Sequence, residues 1–178
     1  MKQVLVYGDS LSWGIIPESR NRFRFEERWP GRLEIRLNEL GCRSRVVEDC
    51  LNGRRTVWDD PIKPGRKGIE GLAQRIEANS PLDLVILLLG TNDFQSMHQN
   101  QALDSANGIG DLITEIRSAP IEPTMTHPEV LVVAPPVIQK ARGAIAEKFA
   151  DAENKAIGLN QAIEAIAKKH ACHFFDAA

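Results

Sequence analysis

The sequence predicts an α/β fold in which helices cover both faces of one parallel β-sheet. Two observations lead to this prediction. Short apolar runs alternate with amphipathic segments along the chain, a pattern typical of parallel strands joined by helices. The run 82–89 is apolar at nearly every position, as expected of a central strand buried on both faces. We therefore expect a three-layer α/β/α domain.

Apolar spacing places five strands and four helical segments in this layout. The predicted strands are residues 3–7, 44–48, 82–89, 130–134 and 172–175. The predicted helices are residues 30–40, 69–78, 103–117 and 144–169, the last broken near Gly158. Right-handed crossovers with helices on both faces favour the flavodoxin-like strand order 2-1-3-4-5. A long loop, 49–67, follows the second strand, and loops of this length in compact domains are often functional.

Composition narrows the classes of partner. The 178 residues fit one domain, and 22 basic against 24 acidic residues give a net charge of -2. This balance argues against nucleic acid or an anionic membrane as the main partner. The N-terminus lacks the features of a signal peptide, and no apolar run is long enough to span a bilayer. The chain has three cysteines, Cys42, Cys50 and Cys172. They lack C-x-x-C spacing, which predicts free thiols in a reducing cytoplasm.

Residues 15–28 combine arginines with aromatic side chains. Such a pattern could form a nucleic-acid patch, but Glu26 and Glu27 dilute its charge. We expect a mobile surface loop or the rim of a contact between subunits.

The stretch Tyr7-Gly8-Asp9-Ser10-Leu11-Ser12-Trp13-Gly14 follows the first strand directly. A serine at a strand end is held on rigid backbone with one side open, which suits a nucleophile. The segment lacks the second glycine of a G-x-S-x-G elbow, so its spacing alone is a weak signal. The alternative is an ordinary turn in which Asp9 and Ser10 satisfy backbone donors.

Two other segments reach the same edge of the predicted sheet. Asn92 follows the third strand, and Gly53 lies in the loop after the second. Ligands of such sheets bind outside the carboxyl ends of the strands. The residues suit acyl transfer: Ser10 would attack an ester carbonyl, and the N–H groups of Ser10 and Gly53 and the Asn92 amide would stabilise the oxyanion. Taken separately, Gly53 and Asn92 could be plain turn residues.

Together, Gly8-Asp9-Ser10-Leu11 and Gly90-Thr91-Asn92-Asp93 resemble the SGNH (GDSL) hydrolase family over nearly the whole chain. The chain looks most similar to the bacterial arylesterase/acyltransferase branch, through Asp59-Asp60-Pro61, Val130-Leu131-Val132-Val133-Ala134-Pro135-Pro136 and Phe174-Phe175-Asp176-Ala177. The resemblance implies Ser10 as nucleophile and Ser10, Gly53 and Asn92 as the oxyanion hole. It also implies small acyl or aryl esters as substrates, acyl transfer to alcohols beside hydrolysis, homo-oligomers, and no metal or organic cofactor. The implied substrate-binding residues are Asp9, Leu11, Trp13 and Thr91, although Trp13 could equally belong to the core.

One part of the family pattern has no match. The family's general base is a histidine in a C-terminal Asp-x-x-His block, and the sequence contains no such block. We expect its histidines to be structural or solvated, with His98 a distant functional candidate: His98, His127, His170 and His173. We therefore expect residues 1–178 to form a single SGNH-hydrolase-like domain without its Asp-x-x-His segment and last helix, leaving part of one sheet face uncovered.

Several alternatives remain at this stage. The same site could serve a thioesterase or lysophospholipase, and the missing base favours a non-catalytic ligand-binding module. A flavin- or nucleotide-binding protein is less favoured, because the first loop lacks a phosphate-binding run of glycines. A cation site is also less favoured, since nothing in the sequence shows that its four candidate carboxylates converge: Asp9, Asp59, Asp60 and Asp93.

Overall fold

Five parallel strands form the single sheet of the computed structural model, which describes residues 1–178. They are β1 (Lys2–Gly8), β2 (Ser44–Cys50), β3 (Leu84–Leu88), β4 (Glu129–Ala134) and β5 (His173–Asp176). The order across the sheet is β2-β1-β3-β4-β5, and every pair is parallel. The predicted order 2-1-3-4-5 is confirmed.

Six α-helices connect or flank these strands. They are α1 (Ser10–Trp13), α2 (Trp29–Glu39), α3 (Leu72–Asn79), α4 (Ala102–Ser118), α5 (Ala152–Lys155) and α6 (Leu159–Lys169). Single 3₁₀ turns occupy Thr91–Phe94 and Gly143–Ile145.

The long helix predicted over 144–169 was wrong in its first half. Residues 144–151 form turns, and the chain enters α5 through Asp151 at φ 65° and α6 through Gly158 at φ 82°. A tertiary bond competes with the local helical preference there, because the Ser96 N–H donates to the Lys148 carbonyl at 2.8 Å. The break near Gly158 is confirmed.

Helices cover the sheet unequally on its two faces. Helices α3, α4 and α6 bury the larger apolar cluster, in which Leu5 and Leu87 of the sheet and Leu112 of α4 are fully buried. Helix α2 covers the other face through Trp29 and Leu33. These faces make up the predicted three-layer α/β/α architecture.

The edge strand β5 is the least covered part of the α2 face. Phe175 lies beside Val133 in the register of β4 and β5, so both side chains point to that face. Phe175 is 58% exposed, whereas Val133 is 8% exposed.

Two loops are fixed against the sheet edge. The loop after β2 folds back on itself, because the Arg55 N–H donates to Arg66 O at 2.8 Å and the Gly68 N–H donates to Arg55 O at 3.0 Å. In the 15–28 segment, Arg22 and Arg28 both form ion pairs with Glu48 of β2.

The three cysteines carry free thiols, as predicted. No helix of the structure is both long and apolar enough to cross a membrane.

Candidate active site

Ser10 begins the one-turn helix α1 directly after β1. Asp9 caps this helix: its side chain accepts a hydrogen bond from the Leu11 N–H at 2.9 Å, and Gly14 ends the turn at φ 82°. The sequence suggested a loop here, although Asp9 before a polar turn is the signal of an N-cap. Ser10 is partly exposed, and its hydroxyl makes no hydrogen bond to the rest of the chain. The side chain is therefore held at the rim of the sheet with its oxygen free.

Gly53 lies in a tight turn beside this helix. The Leu51 N–H donates to Gly8 O at 3.0 Å, and the Arg54 N–H closes the turn on Leu51 O at 2.9 Å. Gly53 has φ 83°, a conformation that L side chains rarely adopt. Its own N–H makes no hydrogen bond within the chain. A free backbone donor thus lies in the turn that follows β2.

The Arg54 side chain stabilises this turn. Its guanidinium lies 3.9 Å from the centre of the Tyr7 ring and donates to Gly8 O at 3.1 Å and to the Asp49 side chain at 2.6 Å. The side chain is almost fully buried. It therefore ties the ends of β1 and β2 to the Gly53 turn.

Asn92 joins the three segments. Its Nδ2 donates to Asp9 Oδ2 at 2.9 Å and to the Arg54 carbonyl at 3.2 Å. The loops after β1, β2 and β3 thus meet at the carboxyl edge of the sheet, as the topology predicted. The convergence of Ser10, Gly53 and Asn92 is a feature of the structure, and their chemical roles remain predictions.

Asp93 fastens the same loops to α4. Its carboxylate accepts hydrogen bonds from the Thr56 N–H at 2.9 Å, the Thr56 hydroxyl at 2.7 Å and the Ser105 hydroxyl at 2.6 Å. Burial raises the pKa of Asp93 to about 6 and that of Asp9 to about 7. Both carboxyls therefore bind protons far more readily than exposed aspartates.

Sequence reasoning missed Arg55 and Gln95. Arg55 is fully buried and donates from Nη2 to Gln95 Oε1 at 2.5 Å, and Gln95 Nε2 donates to Asn92 Oδ1 at 2.9 Å. Asp60 supplies the counter-charge, with Oδ2 2.8 Å from Arg55 Nη1. Burial opposes ionisation of Asp60, but hydrogen bonds from Arg55 and from two backbone N–H groups outweigh it and lower its pKa to about 2. In the sequence, Arg55 has the pattern of a solvated loop charge.

The remaining predicted substrate-binding residues lie around this edge. Leu11 is 41% exposed, and the Thr91 hydroxyl is buried without a hydrogen-bond partner. Trp13 is half-buried, and the Arg22 guanidinium lies 5.0 Å from its ring centre.

No histidine in residues 1–178 forms a hydrogen bond with Ser10. The His127 ring lies 3.0 Å from Ala119 O, and the His173 ring lies 3.8 Å from Glu129. His170 ends α6, and burial lowers its pKa. The His98 ring lies beside Trp58, with the ring centres 6.3 Å apart, and burial also lowers its pKa.

The four aspartates considered for a cation site do not form one. Asp9 and Asp93 accept hydrogen bonds in separate networks, and Asp60 pairs with Arg55. No group of three acidic, histidine or cysteine side chains has the arrangement of a metal site.

The geometry and the family comparison agree. Residues 6–178 match the GDSL-like lipase/acylhydrolase family. The chain belongs to this family. The SGNH resemblance predicted from the two motif blocks is confirmed, and with it the enzyme class of carboxylic ester hydrolase.

Solved structures resemble this GDSL-like hydrolase closely. A carbohydrate acetylesterase from Sinorhizobium meliloti is 32% identical, with a TM-score of 0.90, over 99% of this chain and 84% of that one. An aryl esterase from M. smegmatis is 34% identical, also with a TM-score of 0.90, over 99% and 84% of the two chains. A search of curated proteins gave no match.

Proposed function

We propose that the chain is a serine esterase that hydrolyses small acyl or aryl esters through an acyl-enzyme on Ser10. The observation that carries the proposal is the convergence of a free Ser10 hydroxyl, a free Gly53 N–H and the Asn92 amide at one edge of the sheet. The similarity to an aryl esterase and a carbohydrate acetylesterase supports this substrate class.

In the proposed reaction, Ser10 Oγ attacks the ester carbonyl and the carbonyl oxygen becomes an oxyanion. The N–H groups of Ser10 and Gly53 and the Asn92 amide stabilise that charge. The Asn92 bond to the Arg54 carbonyl is long, at 3.2 Å, and the oxyanion competes for this donor. Collapse of the intermediate breaks the bond to the leaving oxygen, which takes the proton that Ser10 lost and departs as the alcohol, leaving an acyl-Ser10 ester. Water or a second alcohol then takes the acyl group, and its proton restores the Ser10 hydroxyl.

The attack also requires a general base for the Ser10 proton. None of the four histidines forms a hydrogen bond with Ser10, and no Asp-x-x-His block occurs in residues 1–178. This observation favours a second candidate function, a ligand-binding module of the same fold without turnover. A thioesterase or lysophospholipase differs from the esterase only in acyl chain and leaving group.

Turnover of p-nitrophenyl esters by the full-length protein distinguishes these candidates. We expect hydrolysis of the acetate, a loss of at least about 10³-fold in kcat for Ser10→Ala, and wild-type rates for Ser12→Ala. Ser12 is the matched control, because it lies two residues away and is fully buried. Binding without turnover would establish the ligand-binding module. Faster turnover of long-chain esters or of thioesters would establish the thioesterase or lysophospholipase.

We further propose that the protein is cytoplasmic, acts on a small-molecule ester without nucleic-acid or membrane partners, and assembles as a homo-oligomer. The free cysteines support the first point, the charge balance supports the second, and the family resemblance supports the third. Sedimentation of the full-length protein tests the assembly: the mass of a single chain at every concentration would contradict a homo-oligomer.

A further inference from the structure

The Arg55 guanidinium is fully buried and has no role in the proposed reaction. Burying a charge is unfavourable unless partners compensate it. Here Asp60 neutralises it at 2.8 Å, while Nη2 is directed at Gln95 Oε1 at 2.5 Å. Its Nε is buried without a hydrogen-bond partner. Nη2 also donates to Met97 Sδ at 3.3 Å, so Gln95 Oε1 is its one oxygen acceptor.

The contact between Arg55 and Gln95 fixes the orientation of the Gln95 side-chain amide and, through it, that of the Asn92 side-chain amide. A guanidinium only donates, so Gln95 must present its carbonyl oxygen to Arg55 and its NH₂ group to Asn92. Gln95 Nε2 accordingly donates to Asn92 Oδ1 at 2.9 Å. Asn92 must then turn its own NH₂ group towards Asp9 and the Arg54 carbonyl. Gln95 and Asn92 are both buried, so water cannot substitute for either partner.

We infer that Arg55 and Gln95 are positioning residues that hold the Asn92 amide with its N–H groups towards the Ser10 side of the site. An Asn92 amide turned the other way would present its oxygen to a developing oxyanion and repel it. Arg55 also aligns the amide dipoles in one direction, which strengthens each successive N–H as a donor. This inference rests on the proposed function, since it concerns the donor to the oxyanion.

Gln95→Glu separates this role from simple packing. Glutamate has nearly the same shape and forms an ion pair with Arg55, so a purely structural role would tolerate it. The carboxylate cannot donate to Asn92 Oδ1 and repels it, so it opposes the orientation in which Asn92 Nδ2 donates to Asp9 and the Arg54 carbonyl. We expect kcat for p-nitrophenyl acetate to fall about 10²-fold, as when an oxyanion donor is lost, with KM within about twofold.

Two further variants complete the design. Gln95→Met removes the constraint without reversing the amide, and we expect a smaller loss of about tenfold in kcat. Asn38→Asp is the matched control: it makes the same amide-to-carboxylate change at the amino end of β2, where Asn38 Nδ2 donates to Ser44 O at 2.9 Å and Oδ1 accepts from the Ser44 N–H at 3.1 Å. The urea midpoint should fall while kcat stays within about twofold of the wild type. The full-length protein is used throughout, and circular dichroism confirms folding of each variant.

The outcomes separate the inference from the proposed function. Wild-type kcat in a folded Gln95→Glu variant would overturn the positioning role, even if Ser10→Ala abolishes turnover. Wild-type activity in Ser10→Ala would instead overturn the proposed function. A larger loss in Gln95→Met than in Gln95→Glu would also contradict the inference, because it would indicate a packing role.

Discussion

Gly53 shows how one residue can serve the site through its backbone alone. It has a φ of 83° and an unpaired N–H, and only Arg66 Cδ, at 4.0 Å, comes near the position of a Cβ. A side chain would therefore meet conformational strain rather than a collision. Strain of this kind costs about 1–2 kcal/mol in an L residue.

Gly53→Val tests whether this conformation matters for catalysis. Gly41 offers a matched site, because it has φ 82° with nothing near its Cβ position and lies at the end of α2, away from the catalytic edge. We expect both valine variants to lower the free energy of unfolding by about 2 kcal/mol in urea titrations. Only Gly53→Val should also lower kcat, by about tenfold or more, because its N–H moves. Equal kcat in the two variants would argue against a donor role for Gly53.

The residues that sequence reasoning could place are those tied to strand order. Ser10, Gly53 and Asn92 each follow a strand, and the carboxyl ends of parallel strands share one edge. Arg55 and Gln95 lie outside this logic: they are 40 positions apart, and their contact depends on how the loop after β2 folds back. A charged residue in a loop is usually solvated, so its burial was not readable from the sequence.

At the scale of elements, α4 packs unusually close to the loop after β2. A Cβ at Gly108 would lie 2.3 Å from the Thr56 hydroxyl oxygen and 2.8 Å from Thr56 Cβ. The same Thr56 hydroxyl donates to Asp93, so the glycine keeps the helix close enough for this hydrogen-bonded cluster. From the sequence alone, a glycine inside a helix is only an unfavourable helix former.

Gly108→Ala should therefore destabilise the protein although alanine favours helices. The helix gains about 1 kcal/mol from alanine, but overpacking against Thr56 costs about 1–3 kcal/mol. We expect a net decrease in the free energy of unfolding, measured by urea titration, and a lower kcat because the Asp93 cluster shifts. An increase in stability would show that α4 does not depend on this close approach.

The mispredicted half of the 144–169 region has a cause at the same scale. Its sequence favours a helix locally, but the Lys148 carbonyl accepts a hydrogen bond from Ser96, and Lys155 Nζ donates to the His98 carbonyl at 3.2 Å. The segment thus packs over the loop after β3. Such tertiary bonds override local preference and leave no periodic signal.

For the whole molecule, the two buried aspartates link stability to pH. The pKa values of Asp9, about 7, and Asp93, about 6, lie above the ordinary value of 3.8. The folded state therefore binds more protons than the unfolded state between pH 4 and 7. Their contribution to stability is present below pH 4 and is lost as the pH rises through 6 to 7.

Asp9→Asn should flatten this dependence. We expect the free energy of unfolding of the wild type, minus that of the variant, to decrease as the pH rises from about 4.5 to about 7.5 in urea titrations. Asp83→Asn is the control, because the hydrogen bond from Lys2 lowers the pKa of Asp83 and places its titration below this window. A wild type that gains stability relative to the variant as the pH rises would contradict the raised pKa of Asp9.

Labelling by a fluorophosphonate is the most direct test of the central claim that Ser10 is the nucleophile at the meeting point of three loops. The full-length protein is incubated with the reagent, digested and analysed by peptide mass spectrometry, with Ser10→Ala and Ser12→Ala in parallel. We predict a single phosphonyl adduct on Ser10, retained in Ser12→Ala and absent in Ser10→Ala. An adduct on another residue, or no adduct in a protein that hydrolyses p-nitrophenyl acetate, would contradict it.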